Sequence, residues 1–247
     1  TTIAWWYGTL FADRPDSAPQ PLMRFEGFNA CRIAEMDEGG YRLVTREVMY
    51  YKDLQTGEIL ETWNNPFNEQ TVEVVPVAND PVNATLALGE DSNYQNWPWR
   101  RLEGELMLAF NIPLDYPNPL QPDEFPDSSS GERYRASEHF TFAGPADEAL
   151  DPDTESMPAR IGWTRSGPWL PWMKMGTAPG GLFYVGHGKK LMDGYEALPE
   201  VIRDYTDENY PKYSNAPDTF TAPNATSWTE YRRLIRQRRE EEGNGGQ

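Results

Sequence analysis

Three runs rich in aromatic and β-branched residues between Leu22 and Trp63, separated by DEGG and DLQTGE, constrain this chain more than anything else in it. Gly39-Gly40 and Asp53 to Gly57 supply the positive-φ and side-chain-capped positions that tight hairpins need. In the second run Tyr41, Leu43, Thr45, Glu47, Met49 and Tyr51 share one face, and Arg42, Val44, Arg46, Val48 and Tyr50 share the other. Neither face is purely apolar. Such a strand suits a curved antiparallel sheet with one side against protein and the other on a semi-polar cavity.

The rest of the sequence fits that reading. Ile3 to Phe11 reads as a first strand, Thr71 to Asn79 as another with Pro76 at an edge or bulge, and Leu102 to Ile112 as a strand that a helix could replace. Asp115 to Gly131, with four prolines, reads as an irregular rim loop. Glu132 to Phe142 alternates as a clear strand. Ile161 to Met175 is a strand followed by a Trp-Pro-rich turn, and Leu182 to His187 is a short extended piece. Pro199 opens a helix, and Ser227 to Glu230 is a capping box opening a second, Arg-rich one whose charge suits the acidic body. The expected fold is mainly β: an antiparallel up-and-down barrel of lipocalin type, or a strongly bent sheet, with short C-terminal helices. It is expected as one domain, residues 1–190 forming the barrel and residues 191–247 a helical tail packed on it.

Composition narrows the function. A net charge of −17 opposes binding to nucleic acid or anionic lipid surfaces. Cys31 is the single cysteine, which excludes an internal disulfide, and His139 and His187 are the only histidines, too few for a three-histidine metal centre. Carboxylate sites for calcium or magnesium remain possible in the loops Gln121 to Asp127 and Asp147 to Glu155, but neither has regular ligand spacing. No metal or other cofactor is expected. No apolar run reaches the length of a membrane span, so no membrane insertion is expected.

The chemistry-bearing residues centre on the strand Arg133 to Phe142. One face carries Arg135, Ser137 and His139; the other carries Glu138 among Tyr134, Ala136 and Phe140. In a regular strand only one of His139 and Glu138 can line the cavity. His139, beside Arg135 and Ser137, is taken as the general acid or base, and Glu138 as structural, paired with an Arg of a neighbouring strand. His187, in Gly-His-Gly-Lys-Lys, is the second choice: the glycines allow close approach of a ligand and the lysines could hold a carboxylate, or the segment is a plain turn. Asp80 stands at a strand exit as a rim residue or an Asx turn. Tyr51 could donate to a substrate carbonyl. Trp97, Trp99, Trp163, Trp169 and Trp172 form either a stacking surface or plugs of a barrel end. Asn83-Ala-Thr and Asn224-Ala-Thr match glycosylation sequons.

The ordered segments FEGFN, GYRLVTREVMYYKDLQTGEILETWNNPFN, VANDPVNA, FNIPLDYPNPL, SEHFTF, PWLPWMKMG and YVGHGKKL resemble the family catalogued as domain of unknown function 1838, over essentially the whole chain. The resemblance implies no established activity and assigns no catalytic residue; members often resemble exported proteins with twin-arginine signals. The residues themselves point to a cofactor-independent lyase, isomerase or cyclase working by acid–base chemistry on a hydrophobic or aromatic small molecule. The alternatives are a non-catalytic carrier of such a molecule and a hydrolase, perhaps of glycosides, using carboxylate-activated water. A soluble protein is expected, cytoplasmic or exported with its signal absent from this chain, with a homodimer possible.

Overall fold

In the computed structural model, which describes residues 1–36, 40–86 and 99–244, the Leu22 to Trp63 stretch forms the middle of one large antiparallel sheet. The strands are β1 (Thr2–Asp13), β2 (Gln20–Glu35), β3 (Tyr41–Lys52), β4 (Thr62–Asn64), β5 (Thr71–Glu73), β6 (Val77–Asn79), β7 (Ala84–Leu86), β8 (Trp99–Leu102), β9 (Glu105–Pro117), β10 (Arg133–Pro145), β11 (Arg160–Gly167) and β12 (Gly181–Leu191). The sheet order is β6-β3-β2-β1-β12-β11-β10-β9-β8, with β7 also on β3, and β4-β5 forms a separate hairpin. Two meanders are therefore sewn together by the pairing of β1 with β12. Among the described residues no ladder joins β8 to β6.

The bend is visible in side chains that meet over intervening strands. Tyr51 on β3 and Tyr184 on β12 lie close enough for each hydroxyl to perturb the other. Three strand spacings would hold them about 14 Å apart on a flat sheet. Glycines permit the curl. Gly8 and Gly186 lie under the Phe25 ring, and a Cβ on Gly8 would stand 2.5 Å from Phe25 and 2.1 Å from the Val185 carbonyl oxygen.

Hydrophobic burial covers both faces. The concave side packs Trp6, Leu10, Met23, Phe25, Tyr51 and Tyr184 against Trp169, Trp172, Leu120 and Phe125 of the loops and Trp228 and Tyr231 of α3 (Ser227–Asn244). The convex side packs Ile3, Phe28, Val48, Tyr50 and Leu191 under Ile202 of α2 (Glu200–Asn209) and Tyr213. Tyr50 bonds Thr206 of that helix at 2.8 Å. The remaining helix, α1 (Ala146–Leu150), is a short turn after β10. No described helix is long and apolar enough to cross a membrane.

Several local expectations change. β9 continues through Pro113 to Pro117, into the segment read as irregular. Among the described residues β8 pairs with β9 from Glu105 to Leu108, and Pro113 and Pro117 lie beyond that ladder, on a side of β9 where a missing donor costs no described bond. β12 is eleven residues long and carries the Gly-His-Gly-Lys-Lys segment as strand. The α3 cap falls one residue earlier than expected: the Thr229 amide donates to Thr226 Oγ1 at 3.1 Å, and the Thr226 amide to Thr229 Oγ1 at 2.8 Å. The Arg cluster of α3 does pair with the body, Arg236 with Glu124 at 2.9 Å and Arg238 with Glu73 at 2.7 Å. Residues 37–39 of the first hairpin, Gly39 among them, lie outside the described residues.

Candidate functional site

Arg165 is the centre of the concave face. It sits on β11 directly opposite Glu138 of β10 and Tyr184 of β12, so register alone brings all three side chains to one side. Its Nε lies 3.3 Å from Glu138 Oε1, its Nη2 donates to the Tyr134 hydroxyl, and its guanidinium stands 5.3 Å from the Tyr184 ring and 5.6 Å from Trp228. Burial works against the Arg165 charge, but Tyr134, Tyr184 and Glu138 more than offset it, and the group is held firmly cationic. Glu138 Oε2 also accepts from Trp163 Nε1 at 3.3 Å. Burial pushes the Tyr184 hydroxyl up to about 12 and Tyr51 and Tyr134 upward as well, so all three are protonated donors at neutral pH.

Glu47 faces the same side from β3. Its carboxyl is raised to about 7, chiefly by desolvation; the Asn79 amide, which donates to Oε2 at 3.0 Å, pulls the other way, and the charge of Glu138 adds to the rise. Glu47 keeps a little exposed area, yet protein surrounds its carboxyl. Its neighbours are short of donors: Asn29 Oδ1, opposite it on β2, and Asn79 Oδ1 are buried without a hydrogen-bond partner among the described residues. A protonated carboxyl suits such surroundings. Glu47 thus stands at the midpoint of its titration near neutrality, within electrostatic reach of the Glu138–Arg165 pair.

An aromatic ramp leads from the sheet edge to this cluster. Phe110, Phe140 and Phe142 stack nearly parallel, with centroids 5.5 to 6.1 Å apart. Phe140 continues to Trp163 at 6.4 Å, and Trp163 to Tyr184 at 5.4 Å. Phe110 and Ile112 on β9 are 37% and 38% exposed, so the ramp opens to solvent at its outer end.

The residues expected from sequence are distributed differently. His139, Arg135 and Ser137 occupy the exposed side of β10, with His139 bonded to Asn111 and Arg135 beside Asp115 at 3.7 Å. They do not line the concave face, which corrects that expectation: the apolar neighbours of Glu138 bury its side of the strand, and the polar side is left to water. Glu138 is paired with an arginine of the adjacent strand. His187 lies on the convex face, opposite Tyr7 of β1. Asp80 is no rim residue of the site. Burial opposes its charge, but Lys212 at 2.9 Å and Arg46 at 3.1 Å outweigh that and lower its pKa. Trp169 and Trp172 are plugs, each 3% exposed, and Trp172 packs 5.3 Å from Tyr51. Trp99 sits on the edge strand opposite Leu108, and Trp97 lies outside the described residues. The Asn83 sequon is used internally: Asn83 is buried, its Oδ1 accepts from the Thr45 amide at 2.8 Å, and its Nδ2 donates to the Thr221 carbonyl at 3.0 Å.

Sequence reasoning missed Glu47, Arg165 and Tyr184. Alternation held part of the signal, since Arg165 shares a face with Ile161 and Trp163, and Glu47 with Met49 and Tyr51. Among the described residues no group of three or more His, Cys, Asp and Glu side chains gathers in a way that could hold a metal ion. A family model described as "Protein of unknown function (DUF1838)" matches residues 1–235. No curated protein matches the chain.

Proposed function

The chain belongs to this DUF1838 family over essentially its whole length, and we propose that it is a cofactor-independent acid–base enzyme, of lyase or isomerase type, acting on a hydrophobic or aromatic small molecule at the concave face. The observation that carries this reading is Glu47, a carboxyl raised to about 7 on the same face as the Glu138–Arg165 pair. A group poised near the working pH is the most effective proton carrier. In this reading the ionised Glu47 removes a proton from a carbon next to a carbonyl. The electron pair moves onto the carbonyl oxygen, and the cationic Arg165 with the protonated tyrosines stabilises the resulting enolate. Glu47 then returns the proton at a second carbon, or a leaving group departs with the electron pair. The ramp of Phe110, Phe140 and Trp163 supplies flat apolar contact for the body of the substrate.

A carrier would use the same ramp, but it gains nothing from a buried carboxyl whose desolvation costs free energy. A hydrolase would use Glu47 to activate water. The deciding experiment incubates a metabolite extract with the wild type and with Glu47→Gln and follows both by mass spectrometry. The proposal expects a metabolite consumed and a product formed by the wild type and not by the variant. Equal conversion by both proteins would refute it, a metabolite retained unchanged by both would mark a carrier, and two fragments whose masses sum to that of the metabolite plus one water would mark a hydrolase.

A further inference from the structure

The convex face carries a cleft of about 550 Å³ between β1, β2 and β12 whose charge runs against that of the chain. The sequence has 39 acidic and 22 basic residues. Yet among the described residues the cleft is lined by Arg24, Lys52, Arg160 and Lys189, with Glu26 the only carboxylate. Strand register builds this. Lys189 lies opposite Trp5 and Arg160, Tyr7 opposite Glu26 and His187, and Arg24 opposite Thr9 and Lys52, all on one side of the sheet.

The single carboxylate is already engaged. Glu26 accepts from Trp5 Nε1 at 3.0 Å and from Lys52 Nζ at 2.7 Å, which also fixes the Trp5 ring 5.0 Å from that of Tyr7. Arg160 is shared with Glu105 outside the cleft. Arg24 and Lys189 form no ion pair among the described residues. Asp53 lies near Arg24, but its carboxylate is turned to the amides of Gln55 and Thr56. Two cations with no ion-pair partner among the described residues therefore stand on either side of the Trp5–Tyr7 aromatic pair in the cleft.

We propose that this cleft binds a small, flat organic dianion, an aromatic dicarboxylate in its simplest form, with its ring against Trp5 and Tyr7 and its charges at Lys189 and Arg24. The net charge of the chain opposes a long polyanion but not this ligand. Screening limits charge interactions to about 10 Å at 0.1 M salt, so a short anion feels mainly the local cations.

The test is isothermal titration calorimetry of the full chain with terephthalate, benzoate and benzamide. Terephthalate is expected to bind most tightly, about tenfold over benzoate, the factor for one charge-assisted contact, and benzamide not measurably. Added salt is expected to weaken terephthalate. Lys189→Gln and Arg24→Gln are each expected to weaken it about tenfold without moving the melting temperature, because both side chains are exposed. Benzamide binding as well as terephthalate, no terephthalate binding at millimolar concentration, or full affinity in both variants would overturn the proposal. Glu47→Gln, a change outside the cleft lining, is expected to leave terephthalate binding unchanged, which separates this result from that of the concave site.

Discussion

Replacing Arg165 by Met removes the cation around which the concave face is arranged. Arg165 is 9% exposed in its side chain and Glu138 22%, so the change strands a largely buried carboxylate whose remaining partner is Trp163 Nε1 at 3.3 Å. Breaking a buried pair by removing one member costs about 3 to 5 kcal/mol. The partial exposure of Glu138 places this case at the lower end, about 3 kcal/mol. Contacts of the guanidinium with Tyr184 and Trp228 add about 1 kcal/mol. In a chain of 247 residues that total lowers the melting temperature by roughly 8 to 16 °C. Urea unfolding at neutral pH, followed by tryptophan fluorescence, measures it. The companion variant Arg165→Met/Glu138→Gln removes the stranded charge and recovers at least about 1.5 kcal/mol relative to simple addition of the two single changes. Strict additivity of the single variants would refute the coupling and, with it, the claim that Glu138 is held by Arg165.

Other perturbations have equally definite outcomes. Glu47→Gln is neutral in stability near pH 4.5 and stabilises by about 3 kcal/mol above pH 8. A carboxyl raised from 4.5 to about 7 holds its proton more tightly when folded, so the wild type loses stability as pH climbs through that window. Thermal melts of both proteins across the range read the difference, and a gap independent of pH would contradict it. Gly8→Ala drives a Cβ to 2.1 Å from the Val185 carbonyl oxygen, a clash with backbone, and destabilises by about 3 kcal/mol or more; a normal melting temperature would show that the curl relaxes freely. Asn83→Ala removes buried bonds to the Thr45 amide and the Thr221 carbonyl and costs about 2 kcal/mol, read by chemical denaturation.

Local pattern revealed what is local. The alternation in β3 and β10, the Asp53 to Gly57 turn and the Pro199 helix start are all properties of neighbouring residues, and all appear where the sequence puts them. β12 looked short because Gly186 and Gly188 read as turn signals. They serve instead to let the Phe25 ring lie against Gly186 and the Trp5–Trp6 backbone of β1 against Gly188. The concave site depended on something no window of sequence contains. Glu47 and Arg165 are four strands apart in the sheet order, and only the curl brings their charges within reach. The choice of His139 over Glu138 failed for a related reason: a polar strand face was taken as pocket lining, whereas this sheet buries the apolar face and sets its few charges within it.

The most direct test of the account is the titration of Glu47 itself, followed through the side-chain carboxyl carbon by NMR on glutamate labelled with carbon-13 and assigned with Glu47→Gln. The account predicts a midpoint near 7. A midpoint near the ordinary glutamate value of about 4.3 would mean that Glu47 is a solvated surface charge at neutral pH, and the acid–base reading of the concave face would fall with it.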